Sequence, residues 1–309
     1  APHSPSAAGL IELALQRLDG LDRLVSAQPD ATGPTATVQN SDRSALRGDA
    51  WKRMASLHAR RLLRGGLGVA AQASVRQAMH DALSQSIEAY RSAEGSPASG
   101  RFVPHLAASR LALDALTPWD SPQRRDEAIA LAQQCRQTAA QRFARSAGLW
   151  DAVMQADALM VEMLIDGSLG DAGDAGRQRF DELVVGYAQA MDSLCVKPTQ
   201  IDVLLGQIEL LALFCQALGL ESLSDRAWPR IAARLLELVQ HIQPGRSEPG
   251  GYANRPPRAR VKATATASPA ARTRPPPAAP PPPASKTKPK AAATARRPAA
   301  KKGSKRPRP

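Results

Sequence analysis

Apolar residues recur at every third or fourth position along most of residues 1–243, and no segment alternates with period two. The pattern is clearest between Ser41 and Leu116. Leu46, Ala50, Met54 and Leu57 mark one face of a first segment, with Ala45, Trp51 and Ala55 beside them. Beyond a break at Gly65, Gly66 and Gly68, a second segment repeats the spacing at Met79, Leu83, Ile87 and Tyr90. Gly95–Gly100 ends it, and Val103–Leu116 is a third segment, with Pro104 at an N-terminal helical position. Each helix is apolar on one stripe that it cannot bury alone, so the spacing predicts hairpins stacked on their neighbours.

The same reading covers the rest of the body. Ala7–Val25 is a first helix with Leu10, Leu13, Leu21 and Leu24 on one side. Gln28–Asn40 reads as a polar loop, and Ser41 or Asp42 as the cap of the helix that follows. Ser121-Pro122 opens a helix reaching about Ala144 that buries Ala128, Leu131, Cys135 and Phe143. Ser146–Asp166 follows, with Trp150, Val153, Ala156, Met160 and Leu164 in register, and Gly167 stops it. Ser168–Gly176 reads as a loop, and Arg177–Val196 with Pro198–Leu218 as a hairpin turning at Lys197. Gly219 closes that hairpin, and Ser222–Ile242 is a last helix in which Pro229 makes a kink or a restart. The expectation is nine helices and no strand, an all-α fold.

The octapeptide Ser86-Ile87-Glu88-Ala89-Tyr90-Arg91-Ser92-Ala93 ends the second helix in a small-x-x-x-Tyr-x-x-Ala pattern. After a helix with an aromatic and small residues, it resembles a degenerate tetratricopeptide repeat. More narrowly, Asp42-Arg43-Ser44-Ala45-Leu46-Arg47-Gly48-Asp49-Ala50-Trp51-Lys52-Arg53, then Tyr90-Arg91-Ser92-Ala93 and Pro104-His105-Leu106, is similar to a bacterial group. Its members are the repeat regions attached to caspase-like CHAT proteases and other conflict-system effectors, and the likeness spans roughly residues 41–220. The resemblance implies a tetratricopeptide-like helical-hairpin solenoid. The chain then divides into an N-terminal helix and loop (1–40), the solenoid (41–243) and a tail (244–309).

Charge separates the tail from the body. Of 41 basic residues, 16 lie from Arg255 onward, where no Asp or Glu occurs; the other 25 face 28 acidic residues, leaving residues 1–254 at about −3. The net charge of +13 is therefore a property of the tail. The tail also holds 16 of the 26 prolines, including Pro280–Pro283, and no aromatic follows Tyr252. Such a composition cannot bury enough apolar surface to offset chain entropy, so the expectation is a disordered Pro/Ala/Lys/Arg-rich segment with polyproline II stretches. It resembles the tails of linker histones and of bacterial histone-like proteins. Its cations, Arg255, Arg258, Arg260, Lys262, Arg272, Arg274, Lys286, Lys288, Lys290, Arg296, Arg297, Lys301, Lys302, Lys305, Arg306 and Arg308, are the candidate nucleic-acid-binding residues. They would neutralise phosphates and release counterions without reading sequence. A solubilising tail and a purely electrostatic contact with an anionic membrane are the competing readings.

Within the body the candidates for chemistry thin out. His3, His58, His80, His105 and His241 have no mutual spacing suited to a metal, and read as surface or groove residues. Cys135, Cys195 and Cys215 each lie in an apolar helical stripe and read as small buried hydrophobes. Their odd, sparse number argues for a reducing compartment, hence a cytoplasmic location. No apolar run reaches the roughly 18 residues of a membrane span. Gly66-Leu67-Gly68-Val69-Ala70-Ala71 fits the loosest dinucleotide pattern but follows a helix, and Gly170–Gly176 lacks the ligand alternation of a calcium loop. The clusters Arg60-Arg61-Arg64 and Arg124-Arg125 read as solvated faces. Body lysines are only Lys52 and Lys197 among many Arg, Ala and Leu, which points to a GC-rich bacterial genome.

These observations lead to a non-enzymatic scaffold or sensor without cofactors. A protein partner would occupy the helical groove, and nucleic acid or another polyanion the tail. The alternative is the regulatory repeat region of a bacterial protease or nuclease effector, whose catalytic domain would precede Ala1.

Overall fold

The computed structural model describes residues 6–27, 34–95, 102–192, 196–220 and 227–243, less the side chains of residues 26 and 34–39. The described residues hold nine α-helices and no strand. They are α1 (Ala7–Ser26), α2 (Pro34–Arg64), α3 (Val69–Glu94), α4 (Pro104–Asp114), α5 (Pro122–Ser146), α6 (Leu149–Asp166), α7 (Asp174–Asp192), α8 (Pro198–Leu218) and α9 (Trp228–Ile242). One 3₁₀ turn, Ser168–Gly170, joins α6 to α7.

Helix ends follow from a few local residues. Ser121 caps α5 by accepting the Arg124 amide at 3.3 Å, and Pro122 supplies a preset first turn. Pro104, Pro198 and Pro229 likewise stand at the starts of α4, α8 and α9, so Pro229 opens a helix rather than kinking one. The break between α2 and α3 rests on Gly65 and Gly66, both with positive φ, and Gly167 takes the same left-handed conformation beyond α6.

Four expectations about the helices' bounds and faces are corrected first. Residues 34–40, read as loop, are the first turns of α2, because Pro34 fits the first turn of a helix as well as it fits a loop. The boundary drawn at 40/41 therefore falls inside a helix, and Ser41 is no cap: its hydroxyl donates to the Ala93 carbonyl at 2.7 Å. The loop Ser168–Gly176 contains the 3₁₀ turn and the start of α7, where the Asp171 carboxylate accepts the Gly173 amide at 2.9 Å. Leu10, Leu13, Leu21 and Leu24 of α1 are between 44% and 67% exposed. That helix faces the core instead through Leu15, Ala8 and Ile11, and Asp19 and Asp22 bind Arg43 and Arg47 of α2.

The fourth correction concerns α2 itself. Met54 is buried, but Leu46 is 57% exposed, and the innermost line runs through Gly48, Lys52, Ala55, Ala59 and Leu62. A Cβ on Gly48 would meet the Tyr90 ring at 2.9 Å, so only glycine lets α2 and α3 approach this closely. The expected stripe of α3 is fully realised, with Met79, Leu83, Ile87 and Tyr90 all buried.

Consecutive helices pack in pairs, most extensively α2 with α3, α5 with α6 and α8 with α9. In addition α2 packs on α8, and α4 on both α5 and α6. One core runs through these elements, centred on the helices α3, α6 and α8. Among the described residues α8 is the only helix long and apolar enough to cross a membrane by length and composition; half of its most apolar window is buried, and it packs on α2 and α9. The expectation that no run would reach that length is thus corrected: Glu209 and Gln216 interrupt α8 without lowering its mean hydropathy enough. A second unit, Pro256–Pro309, and the candidate tail cations, Arg255 through Arg308, lie outside the described residues.

Buried and half-buried ion pairs join neighbouring helices. Arg110 of α4 donates Nε to Glu94 of α3 at 2.7 Å and a second nitrogen to Asp114, with Arg110 and Glu94 each only 8% exposed. Arg179 of α7 binds Glu162 and Asp166 of α6, and also the Ser168 hydroxyl. Arg125 is half-buried and donates to the Asp166 carbonyl at 2.8 Å, so it departs from the solvated face expected of it.

Candidate functional site: a polar cleft between α2, α4, α6 and α8

Polar side chains that should avoid a core collect where α2, α4, α6 and α8 meet. The center is Lys52, one of two body lysines, which is 7% exposed. Its ammonium lies 3.0 Å from Asp49 Oδ1 and donates to Gln207 Oε1 at 3.1 Å, linking α2 to α8 across 155 residues of sequence. The Tyr90 ring lies beneath it, 5.2 Å from Nζ to the ring centroid, and the Tyr90 hydroxyl donates to Asp49 Oδ1 at 2.5 Å. Lys52 and Asp49 are one helical turn apart on α2, which places both on the face turned to α3 and α8.

Burial sets the protonation of this group. It pushes the Lys52 ammonium below its usual range, against the charge and hydrogen bond of Asp49. It also pushes the Asp49 carboxyl up, but the Lys52 charge and the hydrogen bonds from Tyr90 and Lys52 outweigh it and leave Asp49 below its ordinary range. Burial raises the Tyr90 phenol, helped by Asp49. The pair has salt-bridge geometry, held by Gln207 on one side and by the Tyr90 hydroxyl and ring on the other.

Two chambers adjoin it, and Lys52 lines both. The outer one, about 510 Å³, is lined by Tyr90, His105, Arg142, Trp150, Asp151 and Asp157, among others. The inner one, about 80 Å³, is walled by Ala108, Met160, Val161, Leu211 and Phe214, among others. Lys52, His105, Ser109, Met154, Asp157 and Gln207 line both. A shallower groove between α2 and α8 continues from Lys52 and Gln207 toward Arg60 and Asp202. At the rim of the outer chamber Trp150 is 50% exposed, correcting its expected place in the α6 stripe, while Val153, Ala156, Met160 and Leu164 are buried as expected. An indole left open beside a polar recess is a ready contact for a ligand, since it offers large area at small entropic cost.

Asp157 is the second charged group at the centre of the cleft, and it is partly buried. One of its oxygens, Oδ1, accepts a short hydrogen bond from the Tyr187 hydroxyl of α7, which also touches Met160 Sδ at 3.9 Å. Burial lifts its carboxyl to about 6, against the Tyr187 hydrogen bond, and burial with the Asp157 charge lifts the Tyr187 phenol. His105, by contrast, is held below its ordinary value, first by burial and then by Arg142, with Asp49 and Asp151 opposing. His105 and Ser109 stand one turn apart on α4 and share the cleft, with no hydrogen bond between them. The arrangement presents fixed donors and acceptors beside apolar walls.

Among the candidates from sequence, His105 is the one drawn into the cleft. His241 lies edge-on to Phe180, ring centroids 6.3 Å apart, and burial with Arg61 lowers His58. Cys135 and Cys215 are buried, and burial together with Glu94 pushes the Cys135 thiol up to about 12; Cys195 and His3 lie outside the described residues. The described residues contain no group of three or more His, Cys, Asp or Glu placed to hold a metal. Gly66–Ala71 joins α2 to α3 as an interhelical turn and first turn. Sequence reasoning missed Lys52, Asp49, Asp157 and Gln207. A lone lysine one turn from an aspartate, on a helix whose apolar register fails just there, was the available signal. The chain matches no protein-family model, no curated protein and no solved structure.

Proposed function

We propose that the body is a tetratricopeptide-like recognition module, a scaffold or sensor without catalysis of its own, and that the cleft between α2, α4, α6 and α8 receives its protein partner. One observation carries this reading: an ordered polar cluster, Lys52–Asp49–Gln207 beside Asp157, lines a recess with an exposed tryptophan at its rim. Desolvating those charges costs stability, and chains tend to retain such groups where a ligand needs them. The paired packing of α2–α3, α5–α6 and α8–α9 supports the repeat character. The cationic segment from Arg255 to Arg308 then tethers the module to nucleic acid, the acidic body contributing nothing to that attraction.

The test has two arms on the full chain. Peptide binders selected against it should lose affinity with Trp150→Ala and Gln207→Ala and keep it with Val185→Ala, a change at an exposed position elsewhere on α7. Binders indifferent to both cleft variants would overturn the reading. For the tail, affinity for duplex DNA should fall about 10³–10⁵-fold between roughly 50 and 200 mM salt, if about six to ten cations touch phosphate at once. Deleting residues 255–309 should abolish that binding; undiminished binding would place the site in the body.

A further inference from the structure

Several charges in the cleft have only neutral partners within the protein, and of these Asp157 is the one that lines the inner chamber. Lys52 is answered by Asp49 and Gln207, and Arg142 donates to the Phe102 carbonyl at 3.1 Å. Asp151 receives the Ser146 hydroxyl at 3.5 Å and stands at the outer chamber. Asp157 has Tyr187 on Oδ1 and nothing on Oδ2, and no ion-pair partner among the described residues. Nor is Oδ2 sealed in: it is not among the buried side-chain atoms left without a hydrogen bond in the described residues, so the free oxygen faces the cleft that Asp157 lines. Beyond it the inner chamber has Met154, Met160, Val161 and Phe214 on its walls, while Lys52, held by Asp49, His105, Ser109 and Gln207 line its polar side.

We propose that the cleft is built to take an alkylammonium group, with the ligand's nitrogen on the free oxygen of Asp157 and its hydrocarbon stem in the inner chamber. Charge and shape agree on this class. A carboxylate with a single neutral partner in a desolvated recess favours a cation over a neutral group, and an ammonium has protons to give both Asp157 Oδ2 and the acceptors nearby. The chamber of about 80 Å³ has room for about five water-sized groups, so a stem of about four carbons. Methionines on its wall adapt to such a flexible chain. The exposed Trp150 ring stands at the mouth, where a passing cation meets an aromatic face. Two sources share this chemistry: a free small amine, or a lysyl side chain of the protein partner. The inference rests on the cleft being the recognition site.

The probes are n-pentylamine, its neutral counterpart 1-pentanol and its anionic counterpart pentanoate, titrated into the full chain carrying methyl-¹³C methionine. Met154 and Met160 report on the inner chamber, and buried Met79 reports on the fold elsewhere. The amine should shift Met154 and Met160 at concentrations where the alcohol and the acid do not. Asp157→Asn keeps an acceptor for Tyr187 and should weaken the amine about tenfold or more, the scale of a hydrogen bond to a charged group. Amine affinity should also be higher at pH 8 than at pH 5, because Asp157 loses its charge below about 6. Protonating His105 at low pH would repel a cation too, so the pH dependence must shrink in Asp157→Asn; a dependence that survives unchanged assigns the effect to His105 and overturns the proposal. Pentanoate shifting the two methionines as strongly as the amine overturns it as well. Selected peptides separate the sources. If acetylating their lysines weakens binding, the ligand is a lysyl side chain; if acetylation changes nothing while pentylamine binds through Asp157, it is a free amine. Should peptides depend on Trp150 while the amine ignores Asp157, the recognition module stands and the ammonium site falls.

Discussion

Replacing Asp157 by Asn should make the protein more stable at neutral pH and not at acidic pH. The carboxyl of Asp157 titrates at about 6 in the folded chain against an ordinary 3.8, because burial disfavours its charge. Between those two values the folded state holds the proton more tightly than the unfolded state. Stability therefore falls as pH rises from about 4, and the full penalty is present above about 6. A shift of about two pKa units corresponds to about 3 kcal/mol. Asparagine has no charge to desolvate, and its side-chain oxygen still accepts the Tyr187 hydroxyl; the stronger bond to the charged carboxylate already counts against burial in that shift. The net expectation is a gain of up to about 3 kcal/mol at pH 8, which vanishes at pH 4. Urea unfolding of the full chain, wild type against Asp157→Asn, at several pH values between 4 and 8 measures it. Equal differences at all pH values, or an Asn variant less stable at pH 8, would refute the claim that a desolvated charge is stored at this position. The outcome bears on function, because a charge kept at a cost to folding needs something outside folding to explain it.

Other expectations concern the packing. Gly48→Ala drives a Cβ to 2.9 Å from the Tyr90 ring, so it should cost about 1–3 kcal/mol despite the better helix propensity of alanine, read as a lowered urea midpoint. Gly20→Ala, with nothing within 4 Å of the new Cβ, should instead gain up to about 1 kcal/mol in the same assay. Arg110→Met leaves Glu94 and Asp114 buried without their cation and should cost about 3–5 kcal/mol; a variant near wild-type stability would show that the two carboxyls simply protonate. Cys135 and Cys215 are buried, and the Cys135 thiol is held at about 12, so thiol reagents should label both far more slowly than free cysteine until the chain unfolds, as mass spectrometry of labelled peptides will read.

What could be read in advance follows a physical line. Segments whose partners are all apolar announced themselves. The bounds of α8 come out as Pro198–Leu218, because a proline preset its first turn and Gly219 follows its last. The α3 stripe of Met79, Leu83, Ile87 and Tyr90 is buried throughout. The start of α2 was hidden, since Pro34 serves a loop and a helical first turn equally and the residues after it have no apolar period. The exposed leucines of α1 show the opposite limit: period gives a face, but which face is covered depends on elements far away in sequence.

The cleft lay beyond pattern reading for a related reason. Hydrophobic periodicity assumes that polar residues face water, and the cleft is made of those that do not. On α2 the buried line passes through Gly48 and Lys52, so an apolar-only reading rotated the helix toward Leu46, which is 57% exposed. The partners that make Lys52 tolerable inside are Asp49, one turn away, and Gln207, 155 residues away. Only the first could be seen in the chain. Asp157 similarly depends on Tyr187 from another helix, and its neighbours Ala156 and Ala158 read as core in any register. A helix whose apolar face fits poorly, and fits well once a lysine or an aspartate is admitted to it, is thus a signature of a buried polar site. Applied to α2, that criterion selects Lys52; Asp157 escapes it, because the α6 stripe beside it is buried as expected apart from Trp150.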